Sequence, residues 1–423
     1  MRVRAAARGP VAGRARVGPR TLGHAAGALG PVEEAPAPCR ILTGMDERLL
    51  TERLVGYDTS HRDGLRAAGG FVKGWLESHG IDVREHDHDG LPVLRSTIGS
   101  SQEDAPTVIL HGHLDVVPAH APQFEPILDG DRLIGRGTYD MKGGLASMLC
   151  AVRDCAPRAA GAGVRVELVV VPDEESERVD SRSTDALVKE GRISGDFAIT
   201  GEPTQLHVGV QAKGVLAVRA AVHGTSAHGS TPWLGDNAVL KAFDAFRRIE
   251  SLPFSRESSE LYDRPSINLS RMRGGEAFNM VPDRCEVTID IRYVPGQDAQ
   301  EILRQIGAIE DLEVLRVLER GPAIVSQRNP FVVALRDAVG RTGEGAGLAV
   351  GRDGASDAIA FLDAGIPAVE FGPSGSGHHG PDEWVSVSSL ARYRRALVDF
   401  VLSVPAAVAT DPGTSDPVPE GHA

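Results

Sequence analysis

Four short apolar runs in this chain, residues 107–110, 164–171, 196–200 and 366–371, each lead into a cluster of His, Asp or Glu. Runs of that length, rich in β-branched residues, read as strands. Helix-length segments lie between them from about residue 46, so the pattern predicts an α/β domain with a mostly parallel sheet flanked by helices. Open sheets of this kind gather ligands beyond the carboxyl ends of their strands. Four strand ends carrying polar clusters therefore predict one shared site.

Residues 209–318 follow another pattern, with alternating strands at 215–223 and 285–293 and amphipathic helices at 237–249 and 299–309. This stretch reads as an inserted α+β domain. A helix at 330–341 and the strand at 366–371 then resume the first domain, which is expected to be discontinuous, 45–208 and 319–404. Residues 1–44 hold seven arginines against two acids, with no apolar periodicity and no secretory-signal core. They are expected to be disordered, either as a mis-started extension, with Met45 opening Met-Asp-Glu-Arg-Leu-Leu as the alternative beginning, or as an organellar transit segment. Residues 405–423 are expected to form a disordered tail.

With 423 residues, 41% of them hydrophobic, the chain can build two cores without covalent staples. A net charge of -13 and no basic run in the folded part argue against nucleic acid or an anionic membrane as partner and point to a small molecule. No stretch approaches the roughly 18 to 20 apolar residues of a membrane helix. Cys39, Cys150, Cys155 and Cys285 match neither a zinc spacing nor a disulfide framework, which fits a reducing, cytoplasmic setting.

The clusters are specific. In HGHLDVVPA, His113 and Asp115 lie two apart and share a direction on an extended backbone, so the acid can orient the imidazole for a metal; a strand-end histidine bonded to backbone is the other reading. In GRGTYDMKGG, glycines flank Asp140 and let it enter a crowded site, although such an Asp also serves turns and helix caps. The strand VELVVVP ends in Asp173, Glu174 and Glu175. Three carboxylates beside a buried strand are costly without cations, unless the run is simply solvated. One Glu there can bind metal while its neighbour handles protons. TGEPT supplies Glu202, and GHHGPDEWV a second imidazole. Two nitrogens and three carboxylates form a mixed set suited to zinc rather than calcium or magnesium. One shared carboxylate, Asp140, can hold two ions roughly 3.5 to 4 Å apart, and the charges of two dications, three carboxylates and one hydroxide cancel.

In this order the motifs HGHLDVVP, GRGTYDMKG, DEE, GEPT and HHGPDEW resemble the M20 metallopeptidase family of acetylornithine deacetylases, succinyl-diaminopimelate desuccinylases, carboxypeptidases and aminoacylases, over about residues 46–403. The resemblance implies a catalytic domain carrying two zinc ions, with cobalt as the alternative, and a lid and dimerisation domain at 209–318. It implies His113, Asp140, Glu175, Glu202 and His379 as metal ligands, Asp140 bridging, Asp115 orienting His113, and Glu174 as the base. His379 is preferred to His378 because the family's histidine precedes one residue and then Pro-Asp-Glu, as His379 precedes Gly380 and then Pro381-Asp382-Glu383. In the insert, HGTSAHGSTPWLGDNAV implies that His228 stabilises the oxyanion, often from the partner of a homodimer; Asn279, Arg292 and Gly354 are similar to substrate contacts. The sequence departs from the family at Ala355, where desuccinylases have Thr, and at Ser181-Arg182-Ser183-Thr184, which replaces a Gly-rich stretch. The implied reaction is removal of the acyl group from an N-acyl amino acid or similar small amide. A dipeptidase or glutamate-type carboxypeptidase is the alternative, which Glu202 in place of Asp disfavours, and a noncatalytic binding protein is the reading from another class.

Overall fold

The computed structural model describes residues 46–409, apart from 177–181, 344 and 355. The expectations for residues 1–44 and the departures at Ser181 and Ala355 lie outside the described residues. The central sheet runs in the order Arg84–His88, Leu91–Gly99, Arg165–Val171, Thr107–His113, Phe197–Thr200, Ala368–Glu370, Val208–Ala212 and Ala323–Ile324, with Ala349–Arg352 also paired to Val208–Ala212. Its four middle strands, from Arg165–Val171 to Ala368–Glu370, are mutually parallel. Antiparallel pairs flank them.

All seven residues of Thr107–His113 are buried, as a parallel strand covered on both faces requires. Alternation sorts its side chains between two layers. Val108 and Leu110, with Val166, Leu168 and Val170, share a core with Leu145 and Leu149 of helix Gly143–Cys155, Leu335 of Pro330–Gly340 and Leu397 of Val387–Ala409. Ile109, Val169 and Val171 instead meet Leu187 of helix Ser183–Lys189 and Phe361 of Ala358–Asp363. Each such side chain contributes roughly 1.5–3 kcal/mol on burial, so this three-layer packing fixes where the strand ends fall. The expectation of a mostly parallel sheet between helices is met.

A second, wholly antiparallel sheet has the order Ser266–Gly274, Arg284–Tyr293, Gly214–His223, Leu312–Arg320. One face packs through Leu216, Val218, Ile289 and Ile291 against helices Ala238–Ile249 and Ala299–Gly307, forming a separate core. The side chains of Asn237 and Asp298 accept first-turn amides and so begin these helices where the polar residues stand. Val208–Ala212 belongs to the large sheet, and Leu312–Arg320 to the small one, so the chain changes sheet at Lys213 and after Arg320 rather than at 209 and 318.

Helix Val387–Ala409 continues past Val404, where the tail was expected to begin, and Val408 still packs on the main core; residues 410–423 lie outside the described residues. No helix among the described residues is long and apolar enough to cross a membrane.

Candidate metal centre

Three parallel strands end side by side, one in His113 itself, the others with the Asp173-Glu174-Glu175 run and Glu202 just beyond them. Asp140 and His379 come from loops held together by a small antiparallel sheet, Gly375–Ser376, Trp384–Ser386, Arg132–Ile134 and Ile127–Asp129. Gly137 makes the turn before Asp140 at φ +79°, and a Cβ there would meet Val116 Cγ1 at 2.7 Å. The Asp140–Met141 peptide is cis. Gly372 is needed for close approach, since a Cβ on it would lie 2.3 Å from the Glu202 carbonyl oxygen. His379 itself has φ +61°, which few non-glycine residues adopt.

Among the described residues the donors form three triads, two of which share Asp140. His113, Asp140 and Glu202 form one of that pair and Asp140, Glu175 and His379 the other; His113, Glu174 and Glu175 form the third, and within each the ligand atoms all lie within 4.8 Å of one another. Asp140 directs Oδ1 to His113 Nε2 at 3.4 Å and Oδ2 to His379 Nε2 at 3.3 Å. Glu202 Oε1 stands 3.8 Å from His113 Nε2, and Glu175 Oε1 2.8 Å from His379 Nε2. Among the described residues His378 makes no ion pair with these acids; its ring meets Tyr139 edge to face.

His113 Nδ1 donates to the backbone carbonyl of Asp115 at 2.9 Å, which leaves the Nε2 lone pair facing the carboxylates. The Asp115 carboxylate stands 3.4 Å from the ring. Its own bonds go elsewhere: Oδ1 accepts from Glu174 N at 3.1 Å and Oδ2 from Glu175 N at 2.7 Å. Asp115 thus orients the imidazole through its main chain and the acidic run through its side chain, because the run's backbone donors lie nearer the carboxylate.

Electrostatics show a site rich in negative charge. Burial and then Asp140 push the Glu202 carboxyl well above its ordinary range. Burial pushes Glu174 up to about 8, against the pull of Arg182. Burial would keep His113 neutral, yet Asp115 and Asp140 raise it well above 6.5; hydrogen bonds to Asp140 and Glu175 raise His379 to about 10. Burial would likewise raise Asp140, but the two imidazoles pull it below the usual carboxylate range. Among the described residues His113 Nε2 is buried with no hydrogen-bond partner, so a neutral ring aims its lone pair towards the Asp140 and Glu202 oxygens. This donor set fits a pair of divalent ions.

The other expected residues lie apart. His228 is exposed, and its Nδ1 accepts from Ser230 N at 3.1 Å, leaving Nε2 to carry the hydrogen. Gly229 N donates to the Asn279 carbonyl at 2.7 Å, which ties these two segments together. Arg292 pairs with Asp290 at 3.0 Å, and Gly354 lies in an exposed loop. Among the described residues no hydrogen bond or ion pair links these four to the two triads.

Sequence reasoning missed the residues that hold the centre from behind. Glu383, 1% exposed, accepts through Oε2 from Arg136 Nη1 at 2.6 Å and Gly137 N at 3.0 Å, and through Oε1 from Tyr139 N and Asp140 N, both at 3.0 Å. Arg136 Nη2 continues to the His379 carbonyl at 3.2 Å. The signal was present in the pairing of GRG with GPDEW, two motifs that place one Arg and one Glu among glycines.

The chain matches the model of peptidase family M20/M25/M40 over residues 109–403 and belongs to that family. Among individual relatives, it is 32% identical over 310 residues to a putative succinyl-diaminopimelate desuccinylase of Mycobacterium tuberculosis, covering 70% of this chain and 80% of that one. It is 31% identical over 259 residues to a probable carboxypeptidase of Aspergillus terreus, covering 57% of this chain, and spans 59% of that relative's length. An M20 family metallo-carboxypeptidase from Sulfolobus solfataricus shares the fold with a TM-score of 0.69 at 19% identity, over 86% of this chain and 100% of that one.

Proposed function

We propose that this chain is a two-metal amide hydrolase that removes the acyl group from an N-acyl amino acid or a similar small amide, working with zinc, or cobalt, in the manner of a deacetylase or desuccinylase. The observation that carries the reading is the pair of donor triads meeting at Asp140. Similarity to a desuccinylase over most of both chains supports the acyl-amino-acid class. Similarity to a fungal carboxypeptidase supports a second reading, cleavage of a dipeptide or a carboxy-terminal residue.

Two divalent ions held by His113, Asp140, Glu175, Glu202 and His379 would activate a water at neutral pH and polarise the scissile carbonyl. Glu174, buried beside that cluster, takes the proton from the water and returns it to the leaving amine. Asp115 keeps Glu174 and Glu175 in register by holding both backbone amides. His228 presents an Nε2 hydrogen suited to an oxyanion. It belongs to a lid, residues 214–320, that reaches the centre on closure or from the partner of a homodimer, with Asn279, Arg292 and Gly354 binding substrate. The setting is cytoplasmic.

The test is a panel of N-acetyl, N-succinyl and N-formyl amino acids beside dipeptides, with zinc or cobalt supplied and metal measured. Two ions per chain and faster release from acyl amino acids support the proposal. Preference for dipeptides selects the second reading, and metal-free protein that binds without cleaving rejects both.

A further inference from the structure

Arg182 stands in the stretch that departs from the family pattern, and its guanidinium lies against the proposed base. Nη1 donates to Glu174 Oε1 at 2.8 Å and to Asp357 Oδ1 at 3.2 Å. Behind Asp357 the contacts continue inward. Thr184 Oγ1 donates to Asp357 Oδ2 at 2.5 Å, and His111 Nε2 lies 2.9 Å from that hydroxyl and 3.3 Å from the same carboxylate oxygen. Because the Thr184 hydrogen goes to Asp357, its oxygen accepts from His111, which assigns the ring hydrogen to Nε2. His111 and Asp357 are each 1% exposed, so solvent does not compete for these bonds.

We infer that Arg182 is a positioning residue for Glu174, held in place by the buried relay of Asp357, Thr184 and His111. The inference rests on the reading of Glu174 as the base. A glutamate at a strand end has several rotamers, and its neighbour Glu175 is already engaged by His379. Pairing Oε1 with a fixed guanidinium removes that freedom and leaves Oε2 to meet the water, so the cation acts on orientation, to which proton transfer is sensitive. The relay is rooted in strand Thr107–His113, two residues from a metal donor, so base and ligand are referenced to the same backbone.

The test uses full-length zinc-loaded enzyme and whichever of N-acetyl-L-ornithine, N-succinyl-L,L-diaminopimelate and glycylglycine it cleaves fastest. Arg182→Met is expected to lower kcat by about 10- to 100-fold, with KM within about twofold and zinc content and melting unchanged. Arg182→Lys is expected to restore most of the loss, and in a Glu174→Gln background Arg182→Met is expected to add nothing further. Thr184→Val, which preserves shape, gives the same kcat-only loss in smaller degree and keeps the test available should Arg182→Met not accumulate. An unchanged kcat in Arg182→Met or Thr184→Val, a loss carried by KM, or no recovery with Lys overturns the inference while Glu174→Gln remains inactive. An active Glu174→Gln removes the base assignment instead.

Discussion

Glu383 makes no contact with substrate chemistry, yet its loss is expected to damage the centre more than the loss of many residues in it. In Glu383→Gln the side chain keeps its shape, but the carboxamide has one accepting oxygen where the carboxylate has two. If that oxygen serves Tyr139 N and Asp140 N, the amide nitrogen faces Arg136 Nη1 and Gly137 N, donor against donor. Arg136, with a side chain 4% exposed, also loses its counter-charge. Removing one partner of a buried ion pair costs about 3–5 kcal/mol, a large fraction of the roughly 5–15 kcal/mol that holds a folded domain. The same node fixes the Asp140 backbone and, through Arg136, the His379 carbonyl, so zinc affinity is expected to fall about 10- to 100-fold. Urea denaturation of the metal-free protein measures the first effect and zinc titration against a chromophoric chelator the second. A variant within about 1 kcal/mol of the parent, binding zinc equally well, would show that the four bonds to Glu383 are dispensable and would refute the argument.

Glu174→Ala is expected to keep both metals and lose about a hundred- to ten-thousand-fold in turnover, measured by metal analysis beside steady-state rates; metal loss in step with activity would make Glu174 a ligand instead. His379→Ala is expected to bind one ion fewer than the parent, whereas His378→Ala keeps the parent's stoichiometry, because only His379 reaches Asp140 and Glu175. His228→Ala is expected to lower kcat about a hundredfold without changing metal content, as loss of one oxyanion donor does. Asn237→Ala removes the acceptor for Val239 N and Leu240 N and is expected to cost about 1 kcal/mol in denaturant unfolding.

Much of the architecture was readable because the chain's local chemistry is consistent. The run 164–171 is dominated by Val and Leu, and the structure places Arg165–Val171 there, beside Thr107–His113. The outer strand Arg84–His88 escaped notice because Arg-Glu-His-Asp-His carries no apolar alternation; it is held by backbone pairing to Leu91–Gly99 and is largely exposed. Residues 209–212 of strand Val208–Ala212 fall within the insert's expected bounds because nothing in their composition distinguishes one sheet from another.

The sequence by itself determined which side chains could serve as donors and that several of them follow strands, since both depend on residue type and short-range periodicity. Only the tertiary structure decided how they are grouped. Glu175 meets His379 across 204 positions and Glu383 meets Asp140 across 243, and such partnerships depend on where the chain returns after long excursions. The two roles of Asp115 and the Arg182 and Glu383 networks all belong to that second class, because a hydrogen bond needs a distance and a direction that no local propensity specifies.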